Sequence, residues 1–370
     1  MIRGFIPLPV FLAILAVIYW RIVSAFRPLR NRRILLAGAL GLIPLYFLAL
    51  GLIDSLSFIP ILLYVNGFLM GFLLVSTIPV SVELFISLVW PRYRKIFVSL
   101  ALCLSMGLTG WGMVNGLSVP TAKQLDLQLD DWPPELAGLR IAFLADLHMG
   151  TVVPVEWLEK TVARVNKENP DLIVIAGDLI GGLGTGIQRF SPGLRKLRAP
   201  LGVWVSRGNH EFDNSGRTFR KLLQGTNIQV LENRNVVLPN GLQLAGVDDP
   251  RGEDSPDKPG GADVEKALDG LDPGKPVLLL SHRPAVFNRI PGGWRVVQLS
   301  GHTHAGQFPP LSWCARLMEH YHRGLFKRGS SRLLVTPGTG TWEYLPLRIA
   351  SRNSILSLTF SYAKLNLLHD

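Results

Sequence analysis

Long apolar runs and short alternating runs divide the sequence into two parts. A membrane-spanning helix needs about 20 mostly apolar residues, and four stretches in the first third of the chain meet or approach that length. They cover residues 5–26, 34–53, 58–82 and 96–115. The pattern therefore predicts a transmembrane anchor of about four helices within residues 1–118. A cleaved signal peptide in place of the first helix is the alternative interpretation.

Basic residues predict the orientation of this anchor, because Lys and Arg in short loops are retained on the cytoplasmic side. The connection between the first two runs holds Arg27, Arg30, Arg32 and Arg33, and that between the last two holds Arg92, Arg94 and Lys95. Four crossings then predict an integral membrane protein with an extracytoplasmic C-terminal domain. Glu83 lies within the third apolar region, either as a functional carboxylate or as a residue facing a neighbouring helix or the interface.

Strand and helix patterns alternate after a Pro- and Asp-rich stretch, residues 119–138, which predicts a linker. Strands are predicted at residues 141–145, 172–176, 202–206, 277–280, 296–299 and 333–335, and helices at 155–166, 217–223 and 264–268. Asn240-Gly241 between two apolar runs predicts a hairpin. Residues 139–370 are therefore expected to form an α/β sandwich with mixed sheets.

Charge is distributed unevenly between these two parts. The chain carries a net charge of +11, and its first 120 residues contain nine Lys or Arg and two Asp or Glu. Because most of the excess lies beside apolar runs, we interpret it as a topology signal, and no nucleic-acid partner is expected. The two cysteines, Cys103 and Cys314, exclude a disulfide framework and a thiolate metal cluster.

Polar residues follow five of the predicted strands at the point where each strand ends. They occur in Asp146-Leu147-His148, Gly177-Asp178, Gly208-Asn209-His210-Glu211, Ser281-His282 and Gly301-His302-Thr303-His304. Functional groups in such folds gather at the carboxyl ends of strands. Carboxylate oxygen, amide oxygen and imidazole nitrogen together suit Zn, Mn or Fe. Each motif alone is weak, but the five in this order predict a metal site.

In these motifs the sequence resembles the calcineurin-like metallophosphoesterase family, over about residues 139–358. The resemblance implies an αββα sandwich and two divalent metal ions, which can be Mn, Fe or Zn. One ion would be held by Asp146, His148, Asp178 and His304, and the other by Asp178, Asn209, His282 and His302. It also implies that His210 binds no metal but stabilises charge on the phosphoryl group or protonates the leaving oxygen.

The implied activity is hydrolysis of phosphomonoesters or phosphodiesters by a metal-activated hydroxide. The membrane anchor makes membrane lipids expected partners and a lipid-linked phosphate ester one candidate substrate. Two alternatives stay open: a metal-stabilised membrane scaffold or sensor without catalysis, and a nucleotide phosphodiesterase facing the cytoplasm. The presence of His210 favours catalysis, since a scaffold does not need a histidine that binds no metal.

Further positions in the sequence bear on this resemblance. Where the family often has a second Asp, three residues after Asp178, this chain has Gly181, which puts the metal affinity or the rate in doubt. The sequences Ala305-Gly306-Gln307, Gly338-Thr339-Gly340 and Pro346-Leu347-Arg348 resemble the bacterial membrane-associated branch of the family, which implies an integral protein of the bacterial inner (cell) membrane. Residues 308–328 mix apolar and basic side chains, and either pack on the sheet or touch the membrane surface.

Overall fold

The first part of the described chain is a helical hairpin. The computed structural model describes residues 60–129, 132–182, 186–213, 216–254, 260–342, 344–349 and 351–362. The apolar runs predicted at 5–26 and 34–53 lie outside these residues, so four helices are not confirmed. The other two runs correspond to α1 (Pro60–Val89) and α2 (Arg94–Leu117), and both helices are long and apolar enough to cross a membrane.

Helix α1 continues through Pro79, the residue at which the sequence pattern is interrupted. Side-chain hydroxyls near this proline donate to carbonyls one turn back, as from Ser76 Oγ to Leu73 O at 2.9 Å and from Ser81 Oγ to Thr77 O at 2.6 Å. Glu83 is buried within the hairpin and accepts a hydrogen bond from Ser87 Oγ at 2.5 Å. Burial of this carboxylate favours a packing position within the hairpin.

The remaining described residues form an α/β sandwich. Its strands are β1 (Thr121–Leu129), β2 (Arg140–Leu144), β3 (Leu172–Ala176), β4 (Val203–Ser206), β5 (Ile228–Leu231), β6 (Arg234–Val237), β7 (Gln243–Gly246), β8 (Val277–Leu280), β9 (Val296–Ser300), β10 (Gly324–Arg328), β11 (Ser331–Val335) and β12 (Ser354–Tyr362). Its helices are α3 (Val155–Lys167), α4 (Ser191–Leu194), α5 (Asn209–Asp213), α6 (Gly216–Leu223), α7 (Val264–Leu268) and α8 (Leu311–Met318).

Two mixed six-stranded sheets pack face to face. The first has the order β1-β12-β2-β3-β4-β5 and the second the order β10-β11-β9-β8-β7-β6. Alternate side chains of each strand point to opposite faces, so Ile141 and Phe143 of β2 enter the core between the sheets, whereas Ala142 and Leu144 pack under the helices. Helices cover both outer faces. The predicted αββα sandwich with mixed sheets is confirmed, as is the hairpin, in which β6 pairs with β7 antiparallel.

Residues 119–138 differ from the predicted linker. Thr121–Leu129 forms β1, which pairs in parallel with β12 along its whole length. Leu127 and Leu129 are buried and join the core between the sheets, and the residues between and before them are more exposed. This period-two burial is typical of an edge strand with one face on the core. The chain therefore passes from α2 into the first sheet with only a short connection.

The hairpin packs directly on the sandwich. Met70 and Leu74 of α1 lie in one apolar cluster with Phe308, Leu311 and Leu347. Two main-chain carbonyls near the end of α2 also accept hydrogen bonds from the sandwich, since Arg348 N donates to Gly112 O at 2.8 Å and Asn353 Nδ2 donates to Gly116 O at 2.7 Å. The segment that carries Arg348 is thereby fixed against the hairpin.

Candidate active site

Five strand ends from the two sheets meet at one edge of the sandwich. The segments after β2, β3 and β4 come from the first sheet, and those after β8 and β9 come from the second. The eight predicted site residues lie in these segments: Asp146, His148, Asp178, Asn209, His210, His282, His302 and His304. Because carboxyl ends of neighbouring parallel strands share an edge, residues up to 158 positions apart are brought together.

Asp146, His148 and His304 form one group of possible metal ligands. His304 Nε2 lies 3.4 Å from Asp146 Oδ1 and 2.9 Å from His148 Nε2, and His148 Nε2 lies 3.9 Å from Asp146 Oδ1. All three residues are buried. Three ligand atoms that face one another at such distances can bind one ion between them.

Asp178 and His282 belong, with Asp146, to an adjoining group of possible ligands, and His302 lies beside His282. His282 Nε2 lies 3.1 Å from Asp178 Oδ2 and 3.1 Å from His302 Nδ1. Asp178 Oδ2 is also 3.7 Å from His148 Nε2 of the first group. One carboxylate oxygen thus faces ligand atoms of both groups, which is the position of a bridging ligand.

Asn209 supplies a test of whether this site suits a cation. Its amide oxygen Oδ1 is buried and has no hydrogen-bond partner among the described residues. Leaving such an oxygen without a partner is costly, and coordination of a cation would satisfy it. The residues present therefore fit a bound metal ion.

His210 lies at the edge of the two groups. Its side chain is 17% exposed, and Nε2 lies 4.0 Å from Asp178 Oδ2. Its backbone N–H donates to Asp178 Oδ1 at 3.0 Å. The distances alone also allow His210 to join His148 and Asp178 as a ligand. Because His210 and His302 are only partly buried, they mark the side on which the site opens.

The backbone at the site is strained. Asp146, His148, Asp178, His302 and His304 all have positive φ, between 46° and 70°. Residues other than glycine seldom adopt this left-handed conformation, which costs of order 1–3 kcal/mol each and persists where function requires it. Here it turns the chain sharply at each strand end, so that both residues of a motif face the same centre.

Two motif glycines are required by close approach to the carboxylates. A Cβ at Gly208 would lie 2.2 Å from Asp178 Oδ1, and one at Gly301 would lie 2.3 Å from Asp146 Oδ2. Both contacts are far inside van der Waals distance, and both carboxylates are buried. The Gly residues of Gly-Asn-His and Gly-His-x-His therefore make room for the ligands of the neighbouring motifs.

Glu211 holds two motifs together through main-chain hydrogen bonds. Its carboxylate accepts from the N–H groups of Asp178 at 2.9 Å, Gly208 at 2.7 Å and Ile180 at 3.1 Å. Like Asp178, it is buried, and burial raises the pKa of Glu211. Its position in the Gly-Asn-His-Glu motif was visible in the sequence, but this role depends on the loop after β3 and could not be predicted from the motif alone.

Arg348 is a second residue whose role was missed. Its guanidinium is completely buried and lies with Nη2 2.9 Å from His304 Nδ1, 2.8 Å from Pro337 O and 2.7 Å from Gly340 O. Arginine has only donors, so in the metal-free site Nδ1 of His304 accepts and Nε2 carries the ring proton, which a metal bound at Nε2 would displace. In the sequence, Arg348 stood out only as part of Pro346-Leu347-Arg348, which resembles the bacterial membrane-associated branch of the family.

His282 obtains its orientation from the backbone instead. Its Nδ1 lies 3.0 Å from Ala176 O, and a carbonyl oxygen can only accept, so Nδ1 carries a proton and Nε2 faces Asp178. An outer hydrogen bond of this kind fixes the ring of a metal-binding histidine. Gly181, where the family often has an Asp, contributes its N–H to Met149 O at 2.8 Å.

Burial keeps three of the histidines neutral. It lowers the pKa of His148 to about 3 and holds the pKa values of His302 and His304 well below the usual value of 6.5. A neutral imidazole retains the lone pair that a metal needs. None of these three rings therefore has to lose a positive charge before it binds a cation at neutral pH.

Asp178 and His282 form a buried ion pair when no metal is bound. Burial alone would raise the pKa of Asp178, but the charges of His282 and His210 outweigh it and hold that pKa well below its usual range. Burial likewise opposes a charged His282, yet Asp178 raises the pKa of His282 to about 10. Burial raises the pKa of Asp146 to about 7. A metal must therefore compete with protons on His282 and Asp146.

Comparison with known proteins agrees with this geometry. Residues 139–306 match the model of the calcineurin-like phosphoesterases. A transmembrane protein with metallophosphoesterase domain from Danio rerio is 33% identical over 274 residues, which cover 71% of this chain and 62% of the relative. An uncharacterized metallophosphoesterase from Helicobacter pylori is 31% identical over 271 residues, which cover 71% of this chain and 70% of the relative.

The fold and the site define an α/β metalloprotein of the phosphoesterase class. The chain belongs to the calcineurin-like metallophosphoesterase family, a family of phosphoric ester hydrolases. It spans 62% and 64% of the lengths of the relatives from Danio rerio and Bos taurus. Among solved structures, a 5′-nucleotidase precursor from Thermus thermophilus aligns at 20% identity over 60% of this chain and 54% of its own, with a TM-score of 0.36. That score is too low to inform on the substrate.

Proposed function

We propose that this protein is a membrane-anchored, dinuclear metal-dependent phosphoesterase that hydrolyses phosphomonoesters or phosphodiesters. The observation that carries the proposal is the position of Asp178 Oδ2, 3.1 Å from His282 Nε2 and 3.7 Å from His148 Nε2. A single carboxylate between two groups of neutral and acidic ligands is what a two-metal site requires.

In this proposal Asp146, His148, Asp178 and His304 hold one ion. Asp178, Asn209, His282 and His302 hold the other, and the ions are Mn, Fe or Zn, the metals for which such mixed ligands are suited. When bound, the two ions would supply Lewis-acid stabilisation of phosphate oxygens and lower the pKa of a water between them. Asn209 contributes a neutral oxygen, which limits the negative charge that an anionic phosphate ester meets.

We assign to His210 the transfer of a proton to the departing oxygen. It is partly exposed at the opening of the site, and its backbone N–H is tied to Asp178 Oδ1, so the ring is held beside the place where the phosphoryl group would bind. A charged imidazole there stabilises negative charge on that group and can give its Nε2 proton to the departing oxygen. The same residue argues against a purely structural metal site.

Membrane anchoring is the second half of the proposal. Residues 1–118 would form the anchor and residues 139–370 the phosphoesterase domain. Arg92 and Lys95 lie at the end of the hairpin where α1 meets α2, whereas Gly116 at the end of α2 contacts the sandwich. Positive residues stay in the cytoplasm, which supports an extracytoplasmic domain. A reporter fused after residue 118 should be active only outside the cytoplasm, and activity inside would contradict this orientation.

The hydrolase assignment is tested on the full chain in detergent with Mn²⁺ and nitrophenyl phosphate mono- and diesters. We expect metal-dependent release of nitrophenol, loss of it in Asp178→Asn, and a drop of about 10²–10⁴-fold in His210→Ala. Asp126→Asn is the matched control, since this aspartate lies exposed on β1. A folded, metal-loaded protein that is inert toward both esters would favour a scaffold or sensor.

A further inference from the structure

The outer face of α8 is apolar and exposed. Trp313 is 55% exposed, Leu317 is 88% exposed and Met318 is 63% exposed. Trp313 and Leu317 are four residues apart and so share one side of the helix. The other side is also apolar, because Leu311 and Ala315 are buried. This helix therefore has a covered apolar face and an uncovered one.

The covered face lies against the hairpin. Leu311 shares an apolar cluster with Met70, Leu74 and Val75 of α1. The surface of α1 beside the sandwich is apolar as well, since Val65 is 48% and Leu69 is 56% exposed. Along the axis of α1, the exposed apolar surface of the hairpin thus extends beside the sandwich as far as the residues against which α8 packs.

The length of the hairpin places this level near the bilayer. Beyond Val75, the last residue of α1 in that cluster, 14 residues run from Ser76 to Val89. They measure about 21 Å at 1.5 Å per residue, whereas the hydrocarbon core is about 30 Å thick. Because about 21 Å is too short to cross that core, part of α1 before Ser76 must also lie within the membrane if the hairpin spans it. This part of α1 packs beside the sandwich, and α8 lies at the same depth.

Two exposed basic side chains lie on and just after α8. Arg316 is on the helix itself and Arg323 is in the segment that follows it, with Glu319 the acidic residue between them, and the charges of all three act on His322. Trp together with basic residues is typical of segments at the boundary between lipid headgroups and acyl chains. Basic residues near an anionic surface strengthen binding to it.

We propose that the outer face of α8 enters the lipid–water interface beside the hairpin and docks the phosphoesterase domain on an anionic bilayer. This inference rests on the proposed membrane anchor. Docking of α8 would also give a route for the substrate, because residues 304–310 connect His304 directly to α8. A phosphate ester carried on a lipid headgroup would then reach the site from the membrane surface, at the edge where α8 lies.

The test uses the full chain in nanodiscs that contain anionic lipid. Cys103 and Cys314 are replaced by alanine, and a single spin label is placed by Leu317→Cys, Leu88→Cys or Val237→Cys. Leu88 lies exposed near the end of α1 and reports on the anchor. Val237 is 58% exposed on β6, at the opposite edge of the second sheet from β10, and reports on water. Collision with oxygen and with a water-soluble nickel complex gives the depth of each label.

We expect the labels at positions 317 and 88 to collide with oxygen and to be protected from the nickel complex, and the label at 237 to show the reverse. If the label at position 317 is in water like the label at 237, while the label at 88 is in lipid, the docking of α8 is contradicted but the membrane anchor is not. If 88 is also in water, the anchor itself is overturned. Spin–spin broadening at 317 would show that a second copy covers α8, which also contradicts the proposal.

Discussion

Arg348 connects the helical hairpin to the candidate metal site. Its backbone N–H donates to Gly112 O of α2 at 2.8 Å, while its guanidinium Nη2 lies 2.9 Å from His304 Nδ1. One residue therefore contacts both the hairpin and a proposed metal ligand. This contact fixes the orientation of the His304 ring and therefore the position of its Nε2.

Substitution of Arg348 should weaken the metal site without removing a ligand. In Arg348→Lys the buried charge is kept but the planar fork that contacts His304 Nδ1, Pro337 O and Gly340 O is lost, and lysine does not reproduce that geometry. We expect metal affinity and kcat to fall by about 10–100-fold. Metal titration and steady-state hydrolysis of a nitrophenyl ester measure the two effects.

The control is Arg352→Lys, because Arg352 is exposed in the same segment. Thermal unfolding in excess metal separates positioning from loss of fold. An Arg348→Lys protein that binds metal as tightly as the unaltered chain would show that His304 does not depend on this contact.

The hairpin is expected to influence catalysis through the same segment. A Cβ at Gly116 would lie 2.4 Å from Pro346 O, so the backbone two residues before Arg348 must shift. Gly116→Ala should destabilise the protein by about 1–3 kcal/mol, as overpacking does, and should lower kcat for a soluble aryl ester. Gly110 is the matched control on the same helix, since its Cβ would meet nothing within 4 Å.

Equal activity in Gly116→Ala and Gly110→Ala would indicate that the hairpin only anchors the domain. Gly110→Ala by itself should be neutral or slightly stabilising, by up to about 1 kcal/mol, since alanine loses less backbone freedom in a helix.

The positions of most strands along the chain could be predicted because each of them is a short run of β-branched and apolar residues. Leu172–Ala176 and Val277–Leu280 have the predicted bounds. Strand β1 was missed because Asp126 and the glutamines on its outer face make Thr121–Leu129 look like a polar connection. Its partner β12 lies more than 200 residues away in the chain, and such a pairing leaves no local signal.

The proposed ligands could be named from the motifs alone, but the residues that orient them could not. Glu211 acts on the loop after β3, and Arg348 acts on His304 from a segment 44 residues later. Both contacts depend on how the two sheets and the hairpin pack. The different roles of Gly116 and Gly110 in α2 could not be predicted from the sequence either, since the two glycines differ only in which residues pack beside them.

Alanine at Gly301 should remove the first metal group while the fold persists. Its Cβ would lie 2.3 Å from Asp146 Oδ2 and 2.7 Å from Ala145 Cβ, so the carboxylate must turn away from His148 and His304. We expect loss of one bound ion and a fall in kcat of at least about 100-fold. Elemental analysis of the purified protein counts the metals. Gly292→Ala, where a Cβ meets nothing within 4 Å, should retain both ions.

Metal binding should release protons in a pH-dependent amount. In the metal-free site the pKa of Asp146 is raised to about 7 and that of His282 to about 10. Below pH 7 a metal displaces protons from both groups, and between pH 7 and 10 only His282 of the two still gives up a proton, because Asp146 is already ionised. The number of protons released per protein should therefore fall by about one between pH 5.5 and pH 8.5, and metal affinity should rise with pH over this range.

Calorimetric titration of the metal-free protein with Mn²⁺, repeated in two buffers of different ionisation enthalpy at each pH, gives the number of protons released. Asp146→Asn removes one of the two titrating groups, so its proton release should no longer change between pH 5.5 and pH 8.5, although it binds metal more weakly. Proton release that is equal at the two pH values in the unaltered chain would mean that Asp146 is already ionised at pH 5.5. Burial would then fail to raise the pKa of Asp146, and the metal would compete with the proton on His282 alone.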